Sequence, residues 1–210
     1  MKQVKIAIFV IILFHAVGLA GLLLPAYRTM FLQLVPWHLL LMFIVVVLSY
    51  GAIGSRFYLF AAIIFIAGML FEYVGVHTRL IFGDYAYGRT LGVKIGDIPL
   101  TMGINWFLLV WSAGVLTSSV NIRNIFLRVL LGATILTLLD LLIEPIAMRF
   151  DYWHWSNNTV PLKNYIAWLI VSGGMLFIFE SFKFRAKASP VAALLIAQYV
   201  FFGVLNLALS

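Results

Sequence analysis

Residues 125–155 read IFLRVLLGATILTLLDLLIEPIAMRFDYWHW, and this stretch decides the fold. Its first 23 residues, 125–147, are apolar enough to cross a bilayer core, which takes about 20 such residues. Yet they carry Asp140 and Glu144, and two tryptophans around a histidine follow at once. The rest of the chain supports a membrane reading. Of 210 residues, 64% are hydrophobic and only 10% charged, and the mean hydropathy is +1.10. A soluble domain would balance its core with a charged surface. The net charge of +7 comes from 14 Lys and Arg scattered singly between apolar runs. Nucleic-acid binding would want them clustered on one face, so no nucleic-acid partner is expected.

Working outward, the spanning-length rule divides the chain into about seven segments: 4–24, 37–54, 57–73, 99–118, 125–147, 162–179 and 191–209. The expected fold is an all-α, polytopic bundle of transmembrane helices, with residues 1–210 forming one integral membrane domain. Lys2 and Lys5 ahead of an apolar run resemble a signal peptide, but the run continues to Leu24 and reads as an uncleaved first span. With no cysteine in the sequence, disulfides, thiolate metal sites and cysteine nucleophiles are excluded.

Two connections stand apart from the others: residues 74–98, rich in Gly and Tyr, and residues 148–161, rich in Trp and Asn. If seven spans alternate, both lie on one membrane face. The same parity brings Glu72, Asp140, Glu144, Asn105 and Trp106 to similar depth near that face. Eight Lys and Arg (2, 5, 56, 123, 128, 183, 185 and 187) fall on the N-terminal side and six (28, 79, 89, 94, 149 and 163) on the other. The majority favours a cytoplasmic N-terminus in a bacterial or archaeal cytoplasmic membrane.

A carboxylate within a span usually faces the protein interior or a water-filled cavity, because facing lipid is costly. Asp140 and Glu144, four apart, share one helix face. Two like charges that close in a poor solvent cannot both ionise cheaply, so one is expected to keep its proton, as a general acid requires. The alternative is that they pair with Arg128, Arg149 or Arg79 as structural glue. Glu72 could sit in the headgroup region, and its interest comes from its parity with Asp140. Trp153, His154, Trp155, Tyr85 and Tyr87 stand where an interfacial aromatic belt is expected, although the same rings could face a developing cation. Glu180 reads as an interfacial ion pair with the basic turn at Lys183–Lys187.

Counting removes several chemistries. Four histidines at 15, 38, 77 and 154 lack the box spacing of membrane di-iron enzymes. A prenyltransferase would need two acidic helical motifs to hold Mg²⁺-diphosphate, and Asp140 to Glu144 stands alone. Nucleotide-binding glycine motifs are absent as well. Neither a metal nor another cofactor is expected.

Four stretches carry a resemblance: FEYVGVHTRLIFGDYAYGRTLG (71–92), IPLTMGINWFLLVWSA (98–113), DLLIEPIAMRFDYWHW (140–155) and VPLKNYIAWLIVSG (160–173). In this order they resemble the carotenoid-biosynthesis membrane proteins of the CruF type, over residues 68–175. The resemblance implies a carotenoid hydratase, which adds water across the terminal 1′,2′ double bond of an acyclic, lycopene-like ψ-end group and leaves a tertiary hydroxyl. Carried over position by position, it points to Glu72, Gly75, Phe82, Gly83, Tyr85, Tyr87, Pro99, Trp106, Asp140, Glu144, Pro145, Trp153, Trp155, Pro161 and Asn164. The family often has Asp at the position of Glu144 and Gly at that of Arg79. The implied mechanism takes Asp140 as general acid and Glu144 or Glu72 as its ionised partner. Tyr85, Tyr87, Phe82, Trp106, Trp153, Trp155 and Asn164 would bind the substrate. A carotenoid end-group cyclase and a non-catalytic carrier or small transporter are the alternatives from other classes.

Overall fold

The computed structural model describes residues 2–209. Eight helices follow in order: α1 (Lys2–Leu23), α2 (Pro25–Gln33), α3 (Val35–Tyr50), α4 (Ser55–Thr78), α5 (Leu100–Ser118), α6 (Ile125–Arg149), α7 (Leu162–Phe182) and α8 (Ala188–Leu209). Among the described residues, six helices are long and apolar enough to cross a membrane, and α2 with α3, bent by 60°, can supply a seventh span. Helices suit this setting because hydrocarbon offers no partners for open backbone groups, and a helix satisfies its own. The chain is an integral membrane protein and an all-α bundle, as its composition predicts.

Sequence limits and helix limits agree closely, with one difference. Residues 25–33, read as part of a connection, form α2. Pro25 begins α2 and Pro36 lies in the first turn of α3. A proline ring clashes with the carbonyl four residues earlier, so Pro36 cannot continue α2, and the chain bends at Leu34.

The most enclosed span is α5, which packs against α3, α4, α6, α7 and α8. Helices in lipid gain little from hiding apolar surface, so close packing needs small residues at the crossings. A Cβ on Gly132 of α6 would lie 2.8 Å from Leu176 of α7, and one on Gly68 of α4 would lie 2.7 Å from the Trp106 ring of α5. The second contact fixes where Trp106 stands.

The two long connections meet as an antiparallel ribbon. Strand β1 (Tyr85–Tyr87) pairs with β4 (Trp153–Trp155), with Tyr85 opposite Trp155 and Tyr87 opposite Trp153. Between them in sequence, β2 (Lys94–Ile95) and β3 (Ile98–Pro99) form a second short pair. Successive side chains of a strand point to opposite faces. Tyr85, Tyr87, Trp153 and Trp155 therefore turn inward together, while Ala86 and His154 face out.

Candidate active site

Three carboxylates come together beneath that ribbon. Glu72 is 3% exposed, and Asp140 and Glu144 are each 1% exposed. Glu72 lies well inside α4, which continues to Thr78, so it is not a headgroup residue. Its Oε2 accepts hydrogen bonds from the hydroxyls of Tyr85 and Tyr87, both at 2.6 Å, and its Oε1 accepts one from Trp106 Nε1 at 2.9 Å. Glu144 Oε2 accepts from Trp153 Nε1 at 2.9 Å and Trp155 Nε1 at 2.8 Å. Asn164 bridges the remaining pair, its amide nitrogen lying 3.0 Å from Glu144 Oε1 and 2.8 Å from Asp140 Oδ2.

Each donor is set by local structure. The inward face of the ribbon delivers the two tyrosines and two tryptophans. Asn164 stands in the first turn of α7, which Pro161 starts from an extended conformation. Gly83 holds φ at +130°, and a Cβ there would lie 2.9 Å from Pro161 and 3.0 Å from the Trp155 ring. A side chain at this position would push the ribbon off α7. Burial, together with the charge of neighbouring Glu72, holds the Tyr85 and Tyr87 phenols well above their ordinary range, so both remain donors.

The ion-pair alternative is not realised. Arg128 pairs with Glu180 at 2.6 Å, Arg79 with Asp84 at 3.1 Å, and Arg149 reaches the Leu209 carbonyl. Glu180 accordingly takes Arg128, not the nearby basic turn. Arg79, paired with Asp84, ends α4 with φ of 59°, in the left-handed region that glycine adopts at least cost. The aromatic-belt alternative fails for four of its five residues, since Tyr85, Tyr87, Trp153 and Trp155 are buried and bonded inward. His154 is exposed and bonds Asp151 at 2.7 Å. Phe82 is buried and packs edge-on against Tyr85 at 6.1 Å between ring centres.

Two cavities adjoin the carboxylates. A small one of about 20 Å³ touches both Glu72 and Glu144, and a space of this size holds about one water. A larger one of about 350 Å³ is mainly apolar and has Asp140 and Asn105 in its wall. Met102, Trp153 and Trp168 line both. Trp168 stacks on Trp106 at 4.4 Å. Neither Met102 nor Trp168 was picked out from the sequence, although Trp168 lies one helical turn beyond Asn164. Asp140 Oδ1 is buried and has no hydrogen-bond partner. Among the described residues no three His, Asp or Glu side chains converge to hold a metal ion.

A bundle of membrane spans that encloses three buried carboxylates beside a mainly apolar cavity defines a class, the polytopic membrane proteins with an acidic interior site. Within it, residues 34–210 match the family of carotenoid biosynthesis proteins, and the chain belongs to that family. It is also 28% identical over 116 residues to bisanhydrobacterioruberin hydratase of Haloarcula japonica. That alignment covers 52% of this chain and 40% of the relative's length. No solved structure significantly matches the chain.

Proposed function

We propose that the protein is a carotenoid hydratase that adds water across the terminal 1′,2′ double bond of an acyclic ψ-end group and yields a tertiary alcohol. The observation that carries this reading is the unpartnered Asp140 Oδ1 in a side chain that forms part of the 350 Å³ cavity wall. Asn164 fixes the other oxygen of the same carboxyl. A buried acceptor without a partner costs about 1–3 kcal/mol. If that oxygen carries a proton, it becomes the donor an alkene needs.

Protonation at the less substituted carbon leaves a tertiary cation, and water captures it. Asp140 supplies the proton as a neutral carboxylic acid. Glu72 and Glu144 accept three hydrogen bonds each, surroundings that suit carboxylates, and their negative charge stabilises the cation at short range. The faces of Trp153 and Trp168 on the cavity wall add to that stabilisation. Phe82, Tyr85, Tyr87, Trp106, Trp155 and Asn164 act in this scheme through the carboxylates, holding them in place beside the end group.

Access comes from the bilayer. Phe14, Val17, Leu34 and Trp37 line the cavity and are also 43–67% exposed, so it opens sideways between α1 and the α2–α3 bend. Its volume lies near the lower end for small-molecule pockets, about 300–1,000 Å³. One end group fits, while the rest of the polyene stays in lipid. The Lys and Arg distribution supports a cytoplasmic N-terminus, which protease access to an N-terminal tag in sealed vesicles would test.

Expression in a host that accumulates an acyclic carotenoid tests the function. The expected pigment gains the mass of one water per reacted end and carries a tertiary hydroxyl. An isomer of unchanged mass with a closed ring would mean a cyclase instead, and an unaltered pigment would mean a carrier.

A further inference from the structure

The cavity that meets Asp140 has a second polar wall, built by helices that contribute none of the three carboxylates. His15 of α1, His38 of α3 and Gln198 of α8 line it. His15 is 6% exposed and Gln198 8% exposed. The Nδ1 atom of His15 lies 2.8 Å from the Ile11 carbonyl oxygen. A carbonyl can only accept, so Nδ1 carries the hydrogen, and the neutral ring keeps its lone pair on Nε2. His38 and Phe201 pack edge-on against this ring, at 4.7 and 6.0 Å between ring centres, and fix its plane. Gln198 Oε1 is buried without any hydrogen-bond partner.

An apolar cavity thus holds two acceptors of different kinds, an imidazole nitrogen and an amide oxygen, on the helices α1 and α8 that pack together. Of the two, Gln198 Oε1 is the one buried without a partner, and an imidazole nitrogen with an amide oxygen suits a small molecule that donates twice. We propose that His15 and Gln198 bind the water that captures the carbocation, with His15 Nε2 as the base that takes its proton. This rests on the hydratase reading above. His15 also lies outside the residues 34–210 that match the family.

The step balances. The alkene π pair forms a C–H bond with the Asp140 proton and leaves Asp140 as a carboxylate. The water oxygen then gives a lone pair to the cationic carbon, its O–H bond breaks, and the proton passes to His15. Return of that proton to Asp140 restores both groups, and the net change is alkene plus water to alcohol. Gln198 accepts the second water hydrogen throughout and leaves a lone pair of the oxygen free for attack.

Separate donor and base give a readout that a structural role would not move. If water capture is disabled while Asp140 still works, the cation forms and collapses by losing a proton. In D₂O the unhydrated carotenoid then gains carbon-bound deuterium. The experiment incubates membranes carrying wild type, His15→Phe, Gln198→Leu or Asp140→Asn in D₂O with an acyclic carotenoid made beforehand in ordinary water. Pigment masses are compared per amount of membrane-inserted protein.

We expect His15→Phe to lower hydrated pigment about 100-fold or more and to place deuterium in the recovered substrate. Gln198→Leu should lower hydration about tenfold with the same deuterium signature, since one lost hydrogen bond is worth about 1.4 kcal/mol. Asp140→Asn should give neither product nor deuterium. Normal hydration by both wall variants would overturn the inference, as would loss of hydration without deuterium in whichever variant inserts. An Asp140→Asn protein that hydrates normally, or a wild type that never hydrates, would instead overturn the hydratase reading itself.

Discussion

Where α3 and α5 finish and α4 begins, Phe57, Phe60, Phe107, Trp111, Phe179 and Phe184 meet ring against ring, with centres 5.1–6.5 Å apart, most of them edge-on or tilted. Around the carboxylates, Tyr85, Tyr87, Trp106, Trp153 and Trp155 are also buried, but each turns its O–H or N–H onto a carboxylate. The same residue class serves two purposes. In the first cluster, packing and ring geometry, worth about 0.5–1.5 kcal/mol per pair beyond burial, hold the bundle together. In the second, the need to satisfy buried polar groups dictates where each ring lies, so position is specified around Glu72 and Glu144.

This contrast can be broken in either cluster. Asp140→Asn should leave a folded, membrane-inserted protein while hydrated carotenoid falls about 10²–10⁴-fold, measured as pigment mass per amount of protein. Phe60→Ala, in the all-carbon cluster, should do the reverse. It should cost about 3–5 kcal/mol of stability, seen as earlier thermal unfolding in detergent, with hydration per folded molecule retained. A large loss of hydration in the folded Phe60 variant would erase the distinction between the two clusters.

Smaller changes sharpen it. Tyr85→Phe removes one of the two hydroxyls on Glu72 Oε2 and should cost about 1–3 kcal/mol. Trp155→Phe should act similarly through Glu144, and both should slow hydration more than an equal loss of stability from Phe60→Ala. The least effect is expected at Asp151, in the turn that leads into β4. Partial burial raises its carboxyl, but the bonds from His154 and the Arg89 backbone outweigh this and hold it below the usual range. A lowered folded value means the bonds stabilise the ribbon above the unfolded pKa of 3.8 and are lost as pH falls through the folded one. Asp151→Asn should therefore lower the melting point slightly at pH 7 and not at all near pH 2.

Much of this was legible in the sequence. Apolar run lengths give the spans, and parity brings Glu72, Asp140 and Glu144 to one end. What a sequence of separate runs does not display is the pairing of distant segments. The alternation in Tyr85-Ala86-Tyr87 and in Trp153-His154-Trp155 is a strand signal, yet each run is only three residues long. A ring at the membrane edge can face lipid or turn inward with equal local logic. The pairing of β1 with β4 decides it. Helix α2 escapes a rule based on spanning length because it has only nine residues, although Pro25 and Pro36 can each begin a helix. Arg128 finds Glu180 across 52 residues, a partnership that spacing along one helix does not suggest. His15, His38 and Gln198 are single polar residues in three apolar helices, and only packing brings them to one cavity.

The central claim is that the reacting end of a carotenoid meets the free oxygen of Asp140 inside the bundle. An experimental structure with an acyclic carotenoid bound tests it most directly. The terminal double bond should lie in the 350 Å³ cavity, with its less substituted carbon about 3–3.5 Å from Asp140 Oδ1. An end group held elsewhere, with that oxygen bonded to a protein donor, would contradict the account.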